Sequence, residues 1–365
     1  MFRPIDNLKG GVRFMKAFFS KKPVKIVISI ILIIAAVVCI CNAYFASVAL
    51  EEQKGVAVCD EWSASDIYTP DYAHELDAGD EDFKILCLTD VHIRNFATFG
   101  ACLGVNFILD GLSEIQLKQM INEVNPDLIV VGGDTVLTAW NDICTQQFCD
   151  FMEKFEIPWA PVFGNHDYEG RADKSKLAEI YESAEHCLFK CGPEGMNGMG
   201  NYIVNVTRNN EVVYSLFMLD DGQFRITDGK ITDGGVNENQ IEWYKWAVDG
   251  IAKTSGKNVP NMAFMHVAVP EYKELTDNFE AGYRQEDSLT AVNNDGFFEA
   301  FKANGGTHMF AGHDHNNNFI AEYQGVKLCY MTKSSYNCYF SSKTLGGTLL
   351  TLDKENNVNI EILPF

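Results

Sequence analysis

The stretch FKILCLTD, residues 83–90, decides the fold. It is an apolar run too short for a helix, broken only by Lys84. That pattern marks a strand buried on both faces, delivering Asp90 at its carboxyl end. Downstream, Leu117, Met120, Ile121 and Val124 fall at helical spacing, so a helix is predicted over 111–124, with Ser113 and Gln116 as a capping box. NPD closes that helix, and LIVVGGD, residues 128–134, is a second buried strand ending in Asp134. Strand, helix and strand in this order predict a largely buried α/β sheet.

The pattern recurs toward the C-terminus. WAPVFGNHD (159–167) is a third apolar run, ending in Asn165, His166 and Asp167. NYIVNVT and VVYSLFMLD read as a hairpin across RNNE, followed by a Gly/Asp-rich loop over 220–235. NENQIEWYKWAVDGI (237–251) is helical, and NMAFMHVAVPEY (261–272) is a strand reaching His266. DGFFEAFKANGG is a helix opened by Asp295 and closed by Gly305, and THMFAGHDH (307–315) is a strand that ends on His313 and His315. KLCYMT and a terminal hairpin over DKENN complete the chain.

Five strand ends therefore carry polar residues: Asp90 with His92, Asp134, Asn165 with His166, His266, and His313 with His315. Ligands of α/β sheets gather at the carboxyl ends of the strands. Carboxylate, amide oxygen and imidazole together suit Mn, Fe or Zn. Singly, His266 reads as a hydrogen-bonded core histidine and Asp90 or Asp134 as a turn or cap residue. All five in this order, each after a strand-like run, point to a metal site.

Of the 365 residues, 47% are hydrophobic and 22% charged, which is globular composition. The formal net charge is −21, and residues 51–365 hold 22 basic against 49 acidic side chains. That excludes nucleic acid as a partner, since phosphates need a basic face. Residues 1–25 are basic, and 26–50 hold no charge over a length that spans a bilayer. The expectation is a transmembrane signal-anchor with a cytoplasmic N-terminus and everything after it outside. A cleaved signal peptide, with SVA at 47–49 as its cleavage site, is the competing reading and leaves the protein secreted. Residues 51–80 are read as a linker, and 81–365 as the domain that carries the five polar strand ends. Two of eleven cysteines lie in the apolar run; Cys187 with Cys191, or Cys144 with Cys149, are the pairs that spacing suggests. There is no CxxC pair, so a thiolate zinc site is not expected. NVT at 205–207 fits a glycosylation sequon, and GLSEI (111–115) lacks the closing glycine of a nucleophile elbow.

The set DxH, GD, GNHD, H and GHxH resembles the signature of the calcineurin-like metallophosphoesterases and runs across residues 83–365. FMHVAVPEY and GHDHNNNF with GVKLCY look most like relatives of the purple acid phosphatases. The resemblance implies a four-layer αββα sandwich with two metal ions where the loops of its sheets meet. It assigns Asp90, His92 and His315 to one ion, Asn165, His266 and His313 to the other, and Asp134 as the bridge. It implies hydrolysis of a phosphate ester by a metal-bridging hydroxide, with His166 beside the metals, steadying phosphoryl charge or protonating the leaving group, and Asp167 orienting a neighbour. Tyr168 and Tyr272, beside the motifs, are candidate substrate contacts. The tyrosine that colours purple acid phosphatases follows the bridging Asp by three residues, and here that position is Leu137; a colourless Mn, Zn or Fe site is expected. A phosphomonoesterase is the first reading. A phosphodiesterase or pyrophosphatase acting on nucleotide- or lipid-linked substrates is the alternative, and a non-catalytic cell-surface binding module is the reading from another class. Motif and spacing leave the oligomeric state open.

Overall fold

The computed structural model describes residues 52–94, 105–222, 225–227, 230–232, 234–292 and 295–365, together with 26, 29, 30, 33 and 36. Among the described residues no helix is long and apolar enough to cross a membrane, and the expected anchor at 26–50 lies, but for those five positions, outside them.

Residues 83–88 are buried except at Lys84, and residues 128–131 are buried throughout. Such strands need cover on both faces, which two facing sheets with outer helices supply. In chain order the strands are β1 (His74–Asp77), β2 (Phe83–Leu88), β3 (Leu128–Val131), β4 (Trp159–Pro161), β5 (Tyr202–Arg208), β6 (Glu211–Met218), β7 (Arg225–Thr227), β8 (Lys230–Thr232), β9 (Asn261–Phe264), β10 (Gly306–Ala311), β11 (Ile320–Tyr323), β12 (Val326–Tyr330), β13 (Gly346–Leu352) and β14 (Val358–Pro364). The helices are α1 (Val105–Val124), α2 (Asn141–Met152), α3 (Lys174–Glu182), α4 (Glu238–Ser255) and α5 (Phe297–Ala303).

One sheet has the order β14-β13-β2-β3-β4 and the other β1-β5-β6-β9-β10-β12-β11, with β7 and β8 a separate hairpin. Alternation along the larger sheet divides two cores. Val204, Leu216, Phe264 and Phe310 join the core shared with the smaller sheet and α1, α2 and α3. Their neighbours Ile203, Phe217, Ala263 and Met309 join the core under α4 and α5. The result is the expected order of layers. The strands β2, β3 and β4 run parallel to one another, as do β9 and β10, so their carboxyl ends rise to one rim.

The hairpin over RNNE forms as its sequence suggests, with Asn209 and Asn210 at positive φ between β5 and β6. Ser113 is not a helix cap: α1 begins earlier, and the Ser113 hydroxyl donates to the Leu109 carbonyl inside it. Residues 51–80, read from composition as a linker, lie against the body from residue 52 onward. β1 pairs in parallel with β5, the amide of Gln53 bonds to the carbonyl of Arg171, and Trp62 meets Trp246 edge-on. The spacing-based cysteine pairs are replaced by a disulfide between Cys59 and Cys191, while Cys144, Cys149 and Cys187 stay reduced. The sequon asparagine, Asn205, is buried in β5 and accepts a hydrogen bond from Ser215, so it is closed to a glycan.

The Cys59–Cys191 bridge closes 132 residues of chain. Removing it frees the unfolded chain, so Cys59→Ser should cost about 5 kcal/mol of stability. Chemical denaturation under non-reducing conditions measures this, and an unchanged midpoint would show that the strap does not depend on the bridge.

Candidate metal centre

The rim is built from backbone that few side chains tolerate. Asp90, His92, Asp134 and His313 all have φ between 48° and 72°, the left-handed region, at a cost of about 1 kcal/mol or more each. Glycines make room for them. A Cβ on Gly164 would sit 2.2 Å from Asp134 Oδ1, and one on Gly133, at φ +90°, would sit 2.7 Å from His266 Nδ1. The GG and GN of the two motifs are therefore matters of space.

Two groups of ligand-type atoms result, Asp90 with His92 and His315, and Asp134 with His266 and His313. Asp134 joins them. Its Oδ1 accepts the His166 amide at 2.8 Å, and its Oδ2 lies 3.2 Å from His266 Nε2 and 3.6 Å from His92 Nε2. In the first group, Nε2 of His315 is 2.9 Å from Nε2 of His92 and 3.3 Å from Asp90 Oδ1. Asp90 Oδ2 is held by the Thr89 hydroxyl and the His313 amide.

The remaining ring nitrogens fix the tautomers. His266 Nδ1 donates to the Gly132 carbonyl at 2.8 Å, and His315 Nδ1 to the Tyr339 carbonyl at 2.9 Å. In the neutral rings Nε2 is then a bare lone pair, and each faces a carboxylate oxygen. Two acceptors at 3.2–3.3 Å repel unless a cation lies between them. Asn165 Oδ1 is likewise buried with no hydrogen-bond partner. The donor set thus fits a pair of metal ions.

The electrostatics agree. Burial alone would raise Asp90 and Asp134; the imidazoles of His315 and His92 hold Asp90 well below the usual carboxylate range, and His266 does the same for Asp134. His266, pulled down by burial, is carried well above its ordinary value by Asp134. His92, deeply buried, is pushed down to about 4.

His166 stands outside both groups. Its side chain is about one-third exposed, its ring lies 5.6 Å from that of His92, and its Nδ1 is 2.7 Å from Glu169 Oε2. Glu169, one turn along the same loop, was not singled out from sequence, although an acid three residues after a histidine is a readable signal. Asp167 is buried and touches no imidazole; it accepts the amides of Asp134, Val136 and Gly164, and burial followed by the Asp134 charge pushes it up to about 7. It holds these loops together through the three amides. Tyr272 is fully buried, its hydroxyl bonded to the carbonyls of Met309 and Cys329, so it is a core residue and not a substrate contact. Tyr168 borders the site, but its hydroxyl is committed to the Gly222 carbonyl and Lys174 covers its ring at 4.2 Å.

The rim also uses residues that no motif marks. Asp221 accepts the amides of His266 and Val267, and Lys333, buried and pushed down to about 8 by that burial, donates to the Asp90 carbonyl at 2.6 Å.

The family profile described as Metallophos, calcineurin-like phosphoesterase, matches residues 83–317. The chain belongs to the calcineurin-like phosphoesterase family. Among similar proteins, probable inactive purple acid phosphatase 28 of Arabidopsis thaliana is 28% identical over 290 residues, covering 71% of this chain and 72% of that one. Phosphatase DCR2 of Saccharomyces cerevisiae is 28% identical over 295 residues, covering 71% and 49%. Among solved structures, a dimetal phosphatase from Danio rerio has 11% identity and a TM-score of 0.48, covering 77% of this chain and 99% of the other. The matched span includes all six ligand-type residues of the two groups.

Because Asp167 satisfies three buried amides, Asp167→Ala should lower stability by about 3 kcal/mol. Thermal denaturation tests this, and a wild-type midpoint would mean that the amides find other partners.

Proposed function

We propose that this chain is a metal-dependent phosphomonoesterase. The observation that carries the reading is the position of Asp134, one carboxylate oxygen set between a histidine of each ligand group with the partly exposed His166 beside them. Asp90, His92 and His315 would hold one ion, Asn165, His266 and His313 the other, and Asp134 both. Two such ions, of Mn, Fe or Zn, supply an activated water and a positive clamp on phosphoryl oxygens. The protein's own residues do the rest. The Gly132 and Tyr339 carbonyls keep the two imidazoles in the ligating tautomer. Glu169 holds His166 Nδ1, which leaves Nε2 to meet the substrate, either steadying phosphoryl charge or giving a proton to the departing oxygen.

A phosphodiesterase or pyrophosphatase would use the same centre. The reading as a non-catalytic surface module is favoured by the names of the Arabidopsis relatives, which are called probable inactive. Against it stands the full set of ligand-type residues here. The place of action is part of the proposal: the basic segment 1–25 and the uncharged 26–50 support a membrane anchor with the domain outside the cytosol, and the Cys59–Cys191 disulfide supports an oxidising compartment.

Asp134→Asn or His313→Ala should abolish hydrolysis of an aryl phosphate and lower bound metal, with the fold intact by circular dichroism. Wild-type rates in both variants, or a purified protein without metal, would end this reading; assaying aryl mono- and diesters side by side ranks the two enzyme classes. Glu169→Gln should slow alkyl phosphates roughly tenfold while slowing activated aryl phosphates far less, because only the former need leaving-group protonation. Equal losses on both esters would show that His166 serves phosphoryl charge alone.

A further inference from the structure

The loops around the metal centre present apolar side chains to water on two sides. On one side is the turn after β12. Tyr339 lies flat against His315, ring centroids 4.2 Å apart, and receives the His315 Nδ1–H on its carbonyl. Yet Tyr339 is 51% exposed and its neighbour Phe340 42%. This turn is fixed: the Tyr336 amide donates to Ser113 of α1 at 3.0 Å, and the Asn337 side chain to Asp110 at 2.6 Å.

On the other side is the loop holding Leu289 and Val292, 54% and 55% exposed. It too is tied to the ligand-bearing segments. The Leu289 amide donates to Asp314, between His313 and His315, at 3.1 Å, and the Ala291 amide to the Ala268 carbonyl, two residues past His266, at 2.9 Å. The two loops clasp through the Ser341 hydroxyl and Gln285 at 3.1 Å.

Exposed apolar groups on loops hydrogen-bonded to the ligand-bearing segments, beside a charged centre, fit an amphiphile whose phosphate sits at the metals. We propose that these side chains form a shelf for the apolar part of the substrate. The preferred phosphomonoesters then carry an alkyl or aryl leaving group in preference to a sugar or nucleoside. The inference rests on the phosphomonoesterase reading above and narrows its substrate class. Two features favour an apolar occupant. Tyr339 is in ring contact with a ligand histidine, so the shelf begins where the phosphate ends. The chain's −21 charge disfavours substrates with further phosphates.

The test is calorimetric binding of ethylphosphonate and hexylphosphonate, neither of which can be hydrolysed at its P–C bond by this chemistry, to the metal-loaded full-length protein. Hexylphosphonate should bind roughly tenfold more tightly, as partial burial of four further methylenes requires. The double variant Phe340→Ser with Leu289→Ser should bring that ratio close to one; the ratio is internal, so a change in metal loading cancels. Equal binding of both ligands by the wild type, or an unchanged ratio in the double variant, overturns the shelf. If hexylphosphonate binds preferentially but no ester is turned over, the shelf stands and the phosphatase reading falls.

Discussion

The rest of the site depends on one unfavourable confrontation: buried carboxylate oxygens of Asp90 and Asp134 set against the bare lone pairs of His315 and His266 at 3.3 and 3.2 Å. Nothing in the neutral protein makes that arrangement attractive. A proton can relieve it, which is why His266 is carried so far above its ordinary value beside Asp134; a divalent ion relieves it better, because it satisfies several acceptors at once. The neighbouring structure keeps the confrontation from relaxing. Carbonyls of Gly132 and Tyr339 lock the rings from behind, the His166 amide holds the far oxygen of Asp134, and Asp167 fastens the backbone on either side of it.

Much of this was legible because strand ends are cheap to read. Short apolar runs ending in Asp90, Asp134, Asn165, His266 and His313 survive as β2, β3, β4, β9 and β10, and all five reach the same rim. What sequence did not reveal has physical causes. β1 and β11 are four residues each, HELD and IAEY, the first with a single apolar residue, so no periodicity could develop. α2 and α3 carry scattered polar residues on faces that only tertiary contact explains. Cys59 and Cys191 are far apart in the chain and adjacent only because residues 52–61 fold back on the domain. Tyr272 misled because proximity to a motif in sequence says nothing of which way a side chain points; its hydroxyl turns into the sheet.

The N-terminal strap alters the picture of how the domain would be carried. A free tether from a membrane would let the rim face any direction. Here the chain from residue 52 is bonded at Arg171, again near Gly192, and through Cys191, before β1 joins the sheet edge at β5. The strap thus leaves little slack between the body and residue 52, and any anchor upstream would restrain the domain's orientation through it.

Holding metal and turning over substrate make separate demands on this rim. The left-handed conformations of Asp90, His92, Asp134 and His313 cost stability whether or not a reaction follows, and ions bound only to the folded state would return that cost as binding free energy. A protein that merely bound metal would need nothing more. The pair of His166 and Glu169 is different: it is partly exposed, belongs to neither ligand group, and contributes little to the core. Partly exposed pairs of this kind stabilise a fold by a fraction of a kcal/mol at most, so folding gives slight reason for an imidazole to be held beside the ligand groups. Activity would therefore be marked by this modest pair more than by the buried ligands, which a chain without activity would also need in order to keep its ions.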